Sequence, residues 1–504
     1  MITDLFSHKI HSSSENWPEK LIDLACIFKE FDGLAYDREA IEKRLSEISP
    51  RASLVARDPS KFRDEISAYP AYLGLYRLEL KDSIWVFRLS ETAKRFLTNE
   101  EPNVAAFMIL QLCLFQYPNG MGVAYYSNSD KLRIQANTRD RTFDLIKKGI
   151  HISPFRLICR ALEADASIRK VSPLNAEISY SELFVLANSN KINKSALPDL
   201  ARVTEVLKKA RAGKLSPPKH FESRFHIVNH TDFVISEKGV LKIRPSVDEI
   251  DAQSLVDKLN VINQLGTEFN GFDKVKTEED FNNVIKSGIW GKYFDGFNNL
   301  SSEIIYTLTS ESSLGAPIVE EPNVVTAKPE KLLPKSNTKY PLRKRAQLED
   351  SGKSEFKQTK FTDPEVTRIK RQRSNLTHKI ILQQLEDYLS ELGAEPLENE
   401  HIDLFAKIPN DGKFIFEVKS VSDDNLLPQT RKGISQLYEY RYRYQEEIGY
   451  DVKLCLVYPS EPSVIDWLED YVCVDREIGI IWFDQTGTLS YSNQCRELVK
   501  PILK

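Results

Sequence analysis

The segment Phe414-Ile415-Phe416-Glu417-Val418-Lys419 constrains this 504-residue chain more than any other stretch. Its aromatic and β-branched residues belong in a buried strand. Two charges sit inside it, and buried charges must be partnered or hydrated in a cleft. Just upstream, His401–Lys407 has the same strand character, and the intervening Pro409-Asn410-Asp411-Gly412 ends on an Asp-Gly step, a strong hairpin signal. Residues i and i+2 of a strand share a face, so Glu417 and Lys419 project together. The hairpin folds Asp403 back beside them. Two carboxylates suit a hard, oxygen-seeking cation such as Mg²⁺, with Mn²⁺ expected to substitute. A lysine beside that cation can position water and offset charge developing on a phosphate, which points to metal-assisted phosphodiester hydrolysis. Elsewhere, Glu355-Phe356-Lys357 repeats the spacing without an apolar strand or a partner aspartate, and is set aside.

The flanking elements are equally readable. Ile381, Leu385, Tyr388 and Leu392 recur at helical spacing from Leu376 to Leu392, and Gly393 closes that helix. A long helix is expected from Thr430 to Glu447, then an apolar strand from Val452 to Val457. Within the helix, Gln436 and Tyr440 are four residues apart and share a face.

Asp403, the 14-residue step to Glu417 and the Glu417-x-Lys419 pair together resemble the PD-(D/E)XK nuclease superfamily. Gln436-Leu437-Tyr438-Glu439-Tyr440 is similar to the QxxxY motif of its RecB-like branch. The resemblance covers Asn375 to Leu503, with Ile402 standing where the family's proline would be. It implies a restriction-endonuclease-like α/β domain at 375–504 with a mixed central sheet. It also implies Asp403 and Glu417 as metal ligands, Lys419, Gln436 and Tyr440 as catalytic partners, and Glu386 as an upstream acidic residue. In that branch the glutamine orients groups at the site and the tyrosine contacts substrate or lysine. Arg431, about a turn before Gln436, is a candidate phosphate contact.

The rest of the chain reads as a multidomain α+β protein. A helix from Asp37 to Ile48, a second from Pro59 to Tyr69, strands Leu75–Leu80 and Ile84–Leu89, and a helix capped by Ser90 give the order of a winged-helix domain over 1–100. Its second helix would enter the DNA major groove, with Arg57, Lys61 and Arg63 as contacts. Residues 101–318 read as mainly helical, with a second wing from strands Ser223–Val228 and Val240–Arg244. The stretch 319–374 reads as a basic linker. From Lys328 to Arg373 it carries a net charge of +8 in a chain of net −4, and includes Arg343, Lys344 and Arg345 as candidate DNA contacts. Its low apolar content cannot support a core of its own.

Exclusions narrow the function further. The six cysteines form no CxxC pair, so structural zinc and disulfide frameworks are not expected. Val104–Phe115 is too short to span a bilayer, and MITDLFSHKI shows no basic leader before an apolar run. A cytoplasmic protein without a membrane partner is therefore expected. There is no P-loop, so no ATP-driven motor, and no glycine-rich loop suited to S-adenosylmethionine. The layout is similar to that of type IIS restriction enzymes, an architectural likeness only. The expectation is a Mg²⁺-dependent endonuclease acting on double-stranded DNA in prokaryotic restriction or anti-phage defence. Such an enzyme would dimerise at least during cleavage and rely on a separate methyltransferase or defence partner. The alternatives are a repair or mobile-element nuclease, and a non-catalytic DNA-binding or scaffold protein with a nuclease-like fold.

Overall fold

Apolar residues recurring every third or fourth position build most of the N-terminal half as helices. The computed structural model describes residues 17–48, 72–119, 123–124, 133–134, 136–213, 225–246, 248–309, 339–344, 373, 375–409, 412–421, 425–462, 465, 467–484 and 487–503. These divide into two units, the first built on 17–99 and 103–309 and the second on 339–503. Both mix helices with strands, so the chain is α+β. Among the described residues no helix is long and apolar enough to cross a membrane.

In the first unit, α1 (Trp17–Glu30) precedes α2 (Arg38–Ile48). The sequence reading did not include α1, although Leu21, Leu24, Ala25 and Phe28 are buried at helical spacing. Strands β1 (Tyr76–Lys81) and β2 (Ile84–Leu89) pair antiparallel as expected. Asp82 and Ser83 between them take φ of 48° and 65°, the left-handed pair that a two-residue hairpin turn requires. Ala35 bridges Val86, adding a short third partner to the hairpin. The helix expected at 59–69, with Arg57, Lys61 and Arg63, lies outside the described residues. Ser90 caps α3 (Glu91–Leu97), its hydroxyl accepting the Ala93 N–H at 3.1 Å. The remaining orphan donors of that helix start go to Asp295, which accepts from the Glu91 and Thr92 N–H groups at 2.9 and 3.1 Å. The apolar run is a fully packed core helix, α4 (Val104–Leu114), whose buried Gln111 donates to Leu73 O and Phe294 O.

The second wing differs from expectation. Strand β5 (Val240–Ile243) pairs with β4 (Val234–Glu237) and with β3 (Glu177–Ser179), and residues His226–Thr231 form a 3₁₀ helix. Lys238 and Gly239, at φ 50° and 83°, make a two-residue turn, so the strand partner must lie immediately before them. Side chains also pull 226–231 away from a ladder: Thr231 Oγ1 accepts from Phe233 and Val234, and Asn229 Oδ1 from Ser236.

The second unit is a seven-stranded mixed sheet with helices packed on it. Its strands are β6 (Arg343–Lys344), β7 (Leu397–Glu398), β8 (Leu404–Ile408), β9 (Gly412–Val418), β10 (Lys453–Tyr458), β11 (Ile478–Phe483) and β12 (Leu489–Tyr491), lying side by side in chain order. Pairing is parallel for β9–β10 and β10–β11 and antiparallel elsewhere. The long crossover between β9 and β10 is α6 (Leu426–Ile448), while α5 (Leu376–Glu391) precedes the sheet in sequence. Leu454 to Val457 are all buried, the continuous apolar run of a central parallel strand. One segment of the expected linker belongs to this sheet. Arg343 and Lys344 pair with β7 as an exposed edge strand and meet Glu400 and Glu395 at 3.2 and 2.6 Å. Most of the linker, Arg345 included, lies outside the described residues.

Candidate active site

The β8–β9 register brings the first three candidates together. Ile408 pairs with Gly412 and Leu404 with Phe416, so one further step sets Asp403 opposite Glu417. Asn410 and Asp411 of the turn lie outside the described residues. The Asp403 carboxylate reaches across the pair, its Oδ2 accepting the Val418 N–H at 3.0 Å. One residue past β9, Lys419 continues the parallel pairing through its N–H to Val457 O at 2.9 Å.

Helix α6 completes the row. Lys419 Nζ donates to Glu417 Oε1 and to Gln436 Oε1, both at 2.6 Å, and Gln436 Nε2 donates to Tyr440 OH at 2.9 Å. The i,i+4 pair thus acts as a unit, one end orienting the amide and the other the lysine. Each of Asp403, Glu417, Lys419, Gln436 and Tyr440 is buried. Arg431 is exposed and lies five residues before Gln436, about 140° around the helix, so the structure does not bring it into this set.

Gly433 lets α6 approach. A Cβ there would lie 2.5 Å from Leu456 Cδ2 and 3.2 Å from Lys419 Cε. Gly433→Ala should therefore gain about 1 kcal/mol of helix propensity and lose about 1–3 kcal/mol to overpacking. The expected result is a small fall in stability in urea titration, with a larger proportional fall in any activity that depends on Lys419.

Several residues of the site were not found from the sequence. Arg373, counted there as one more linker charge, donates from Nε to Asp403 Oδ1 at 2.8 Å and from Nη1 to Asn399 O at 2.6 Å. His378, in the first turn of α5, sits with Nε2 3.2 Å from Asp403 Oδ2. Glu386 is eight residues further along α5, about 12 Å up its axis, so His378 is the α5 side chain that meets Asp403. Behind Tyr440, His401 stacks on its ring at 5.8 Å and bonds Tyr444 OH through Nδ1 at 2.7 Å. Tyr340 closes this network by donating its N–H to Tyr444 OH at 3.2 Å.

The two carboxylates titrate in opposite directions. Burial raises Asp403, but Arg373, His378 and Lys419 outweigh it and hold the group below the usual aspartate range. Burial and the Asp403 charge push Glu417 up to about 7, against the pull of Lys419. Glu417 Oε2 is shielded from solvent without a hydrogen-bond partner, an arrangement that costs free energy until a cation or donor meets it.

Among the described residues no three His, Cys, Asp or Glu side chains are gathered as a metal cage. Asp403 and Glu417 still fit Mg²⁺, which keeps much of its water shell and binds through one or two carboxylates plus substrate oxygens. The cysteines play no part here; all six are free thiols. No protein-family model matches the chain, and no curated protein matches it.

Proposed function

We propose that the second unit is a divalent-cation-dependent nuclease of the PD-(D/E)XK kind, with a restriction-endonuclease-like fold, that hydrolyses phosphodiester bonds in DNA. The observation that carries this reading is the buried row Glu417–Lys419–Gln436–Tyr440, with Asp403 on the adjoining strand. Taking such charges out of water costs several kcal/mol per ion, a cost that apolar residues of similar size would avoid. Ionisable groups perturbed in this way concentrate at functional sites.

Bound at Asp403 and Glu417, Mg²⁺ or Mn²⁺ would acidify water and neutralise charge on the phosphate. Lys419, fixed by Glu417 and Gln436, sets a positive charge where attacking water and phosphate oxygens would meet. In the reaction a water oxygen bonds to phosphorus, one bridging P–O bond breaks, and the water proton ends on the leaving oxygen. In the first unit, α2 and the β1–β2 hairpin match two parts of the expected winged-helix order, and that partial match supports a DNA-directing role. The role that fits this reading is that of a cytoplasmic restriction or anti-phage enzyme, acting as a homodimer when both strands are cut, with modification left to a separate methyltransferase.

A second reading, a nuclease-like unit that binds DNA without cutting it, draws on Arg373 taking up Asp403 Oδ1. The two separate when the full chain is incubated with methylated and unmethylated plasmid and with phage DNA, in Mg²⁺, Mn²⁺ or EDTA. Cleavage that either cation supports and EDTA abolishes is expected. Fixed fragments indicate sequence-specific restriction and smears non-specific degradation. Binding without cutting in every ion overturns the nuclease reading and favours the second.

A further inference from the structure

Arg373 meets Asp403 with only half of its grip. In a guanidinium, Nε–H and the Nη2 hydrogens lie along one planar edge, the fork that takes two oxygens of a carboxylate or phosphate. Here Nε holds Asp403 Oδ1 at 2.8 Å while Nη2, shielded from solvent, has no hydrogen-bond partner. The second oxygen of Asp403 is engaged by the Val418 N–H, with His378 Nε2 at 3.2 Å, so it does not fill the free prong. An unpaired N–H shielded from solvent is costly, and a further anionic oxygen beside Asp403 would relieve it.

Charge balance agrees. Asp403 already stands against Arg373, with His378 beside it, while Lys419 is held by Glu417. A divalent cation set against Asp403 repels Arg373 and competes with it for the same oxygen. The displaced guanidinium then needs an anion, and a phosphodiester supplies one. Accessibility points the same way: the Arg373 side chain is 19% exposed, whereas those of Asp403, Glu417, Lys419 and His378 are 4% or less.

Resting on the nuclease reading above, we propose that Arg373 is a phosphate-binding catalytic residue, held on Asp403 until a divalent cation takes that carboxylate. It then transfers its fork to the non-bridging oxygens of the scissile phosphate. It precedes α5 and lies outside the strand hairpin that carries Glu417, and Nη1 stays on Asn399 O while Nε and Nη2 form the fork.

The test uses the full-length protein and the variants Arg373→Gln and Arg373→Lys. Mn²⁺ binding without DNA is measured by calorimetry, and single-turnover cleavage of a duplex in Mn²⁺ is measured separately. Arg373→Gln removes the competitor for Asp403, so it should bind Mn²⁺ about fivefold more tightly or better and cleave about 10²-fold more slowly or worse. Arg373→Lys keeps the charge without the fork; its Mn²⁺ affinity should stay near wild type while cleavage falls by about tenfold or more. If Arg373 merely supported Asp403 as a ligand, Arg373→Gln would weaken Mn²⁺ binding by about 10–100-fold, and that result overturns the proposal. So does cleavage by Arg373→Lys at the wild-type rate, an arm that holds even where Arg373→Gln fails to fold. Wild-type protein that neither binds Mn²⁺ nor cleaves overturns the nuclease reading itself, a different result from either variant outcome.

Discussion

Replacing Asp403 with alanine should abolish cleavage and also cost the second unit about 3–5 kcal/mol, because it strands buried groups that depend on that carboxylate. Arg373 Nε and the Val418 N–H donate to it, and His378 Nε2 lies 3.2 Å away. Asp403→Asn keeps the size and one acceptor oxygen but loses the charge, so its stability loss should be smaller and its activity loss nearly as complete. The pH dependence has a definite sign. Asp403 is held below its ordinary range in the folded protein, so its contribution is full above the unfolded value and disappears as pH falls through the folded one. The stability gap between wild type and Asp403→Asn should therefore close in strong acid, and it should also narrow as pH rises toward 7, because the Asp403 charge helps raise Glu417 in wild type and is absent from the variant. Urea titration at several pH values, followed by tryptophan fluorescence, measures this. An Asp403→Ala protein as stable as wild type would show that the ion pair with Arg373 is not formed in solution, and one that still cuts DNA would remove Asp403 from the chemistry.

The hairpin and α6 were legible in the sequence because their signals are local. Strand character on both sides of a short turn signals the β8–β9 pair, and its register, with Ile408 opposite Gly412, decides that Asp403 faces Glu417. Spacing of four residues was enough to put Gln436 and Tyr440 on one side of a helix. Each inference needed fewer than twenty neighbouring residues and one periodicity.

What escaped the sequence is long-range or small. Arg373 looked like another charge in a basic run, since nothing nearby marks it for an acceptor thirty residues on. His378 is one histidine in a helix whose other signals are apolar. Strand β6 is two residues long and basic, flanked by a proline, and carries no strand pattern; only pairing with β7 defines it. The second wing was misplaced because Phe225-His226-Ile227-Val228 alternates like a strand, while the hydroxyl of Thr231 and the amide of Asn229 settle that stretch into a tight helical turn. Likewise nothing in residues 91–92 announces that Asp295, some two hundred positions away, satisfies their N–H groups.

Lys419→Met should reduce cleavage by about 10³-fold or more, the range expected when a charged group positioned at a reacting phosphate is removed. Unlike the aspartate variant, it should fold well near pH 6. Glu417 already titrates at about 7 in the folded protein, above its ordinary 4.5, because burial and the Asp403 charge disfavour its ionised form. A raised carboxylate contributes stability that is full below its unfolded value and is lost as pH rises through the folded one. Lys419 opposes that rise through its 2.6 Å contact with Glu417. Without the lysine the carboxyl titrates higher still, so the variant keeps a neutral Glu417 at pH 6 and faces a growing ionisation cost by pH 8. Its stability relative to wild type should consequently be near parity at pH 6 and fall steadily to pH 8. The double variant Lys419→Met with Glu417→Gln should abolish that slope. A flat difference between the single variant and wild type over this range would mean that Glu417 and Lys419 do not share a buried contact in solution, and the lysine would then need another route to the phosphate.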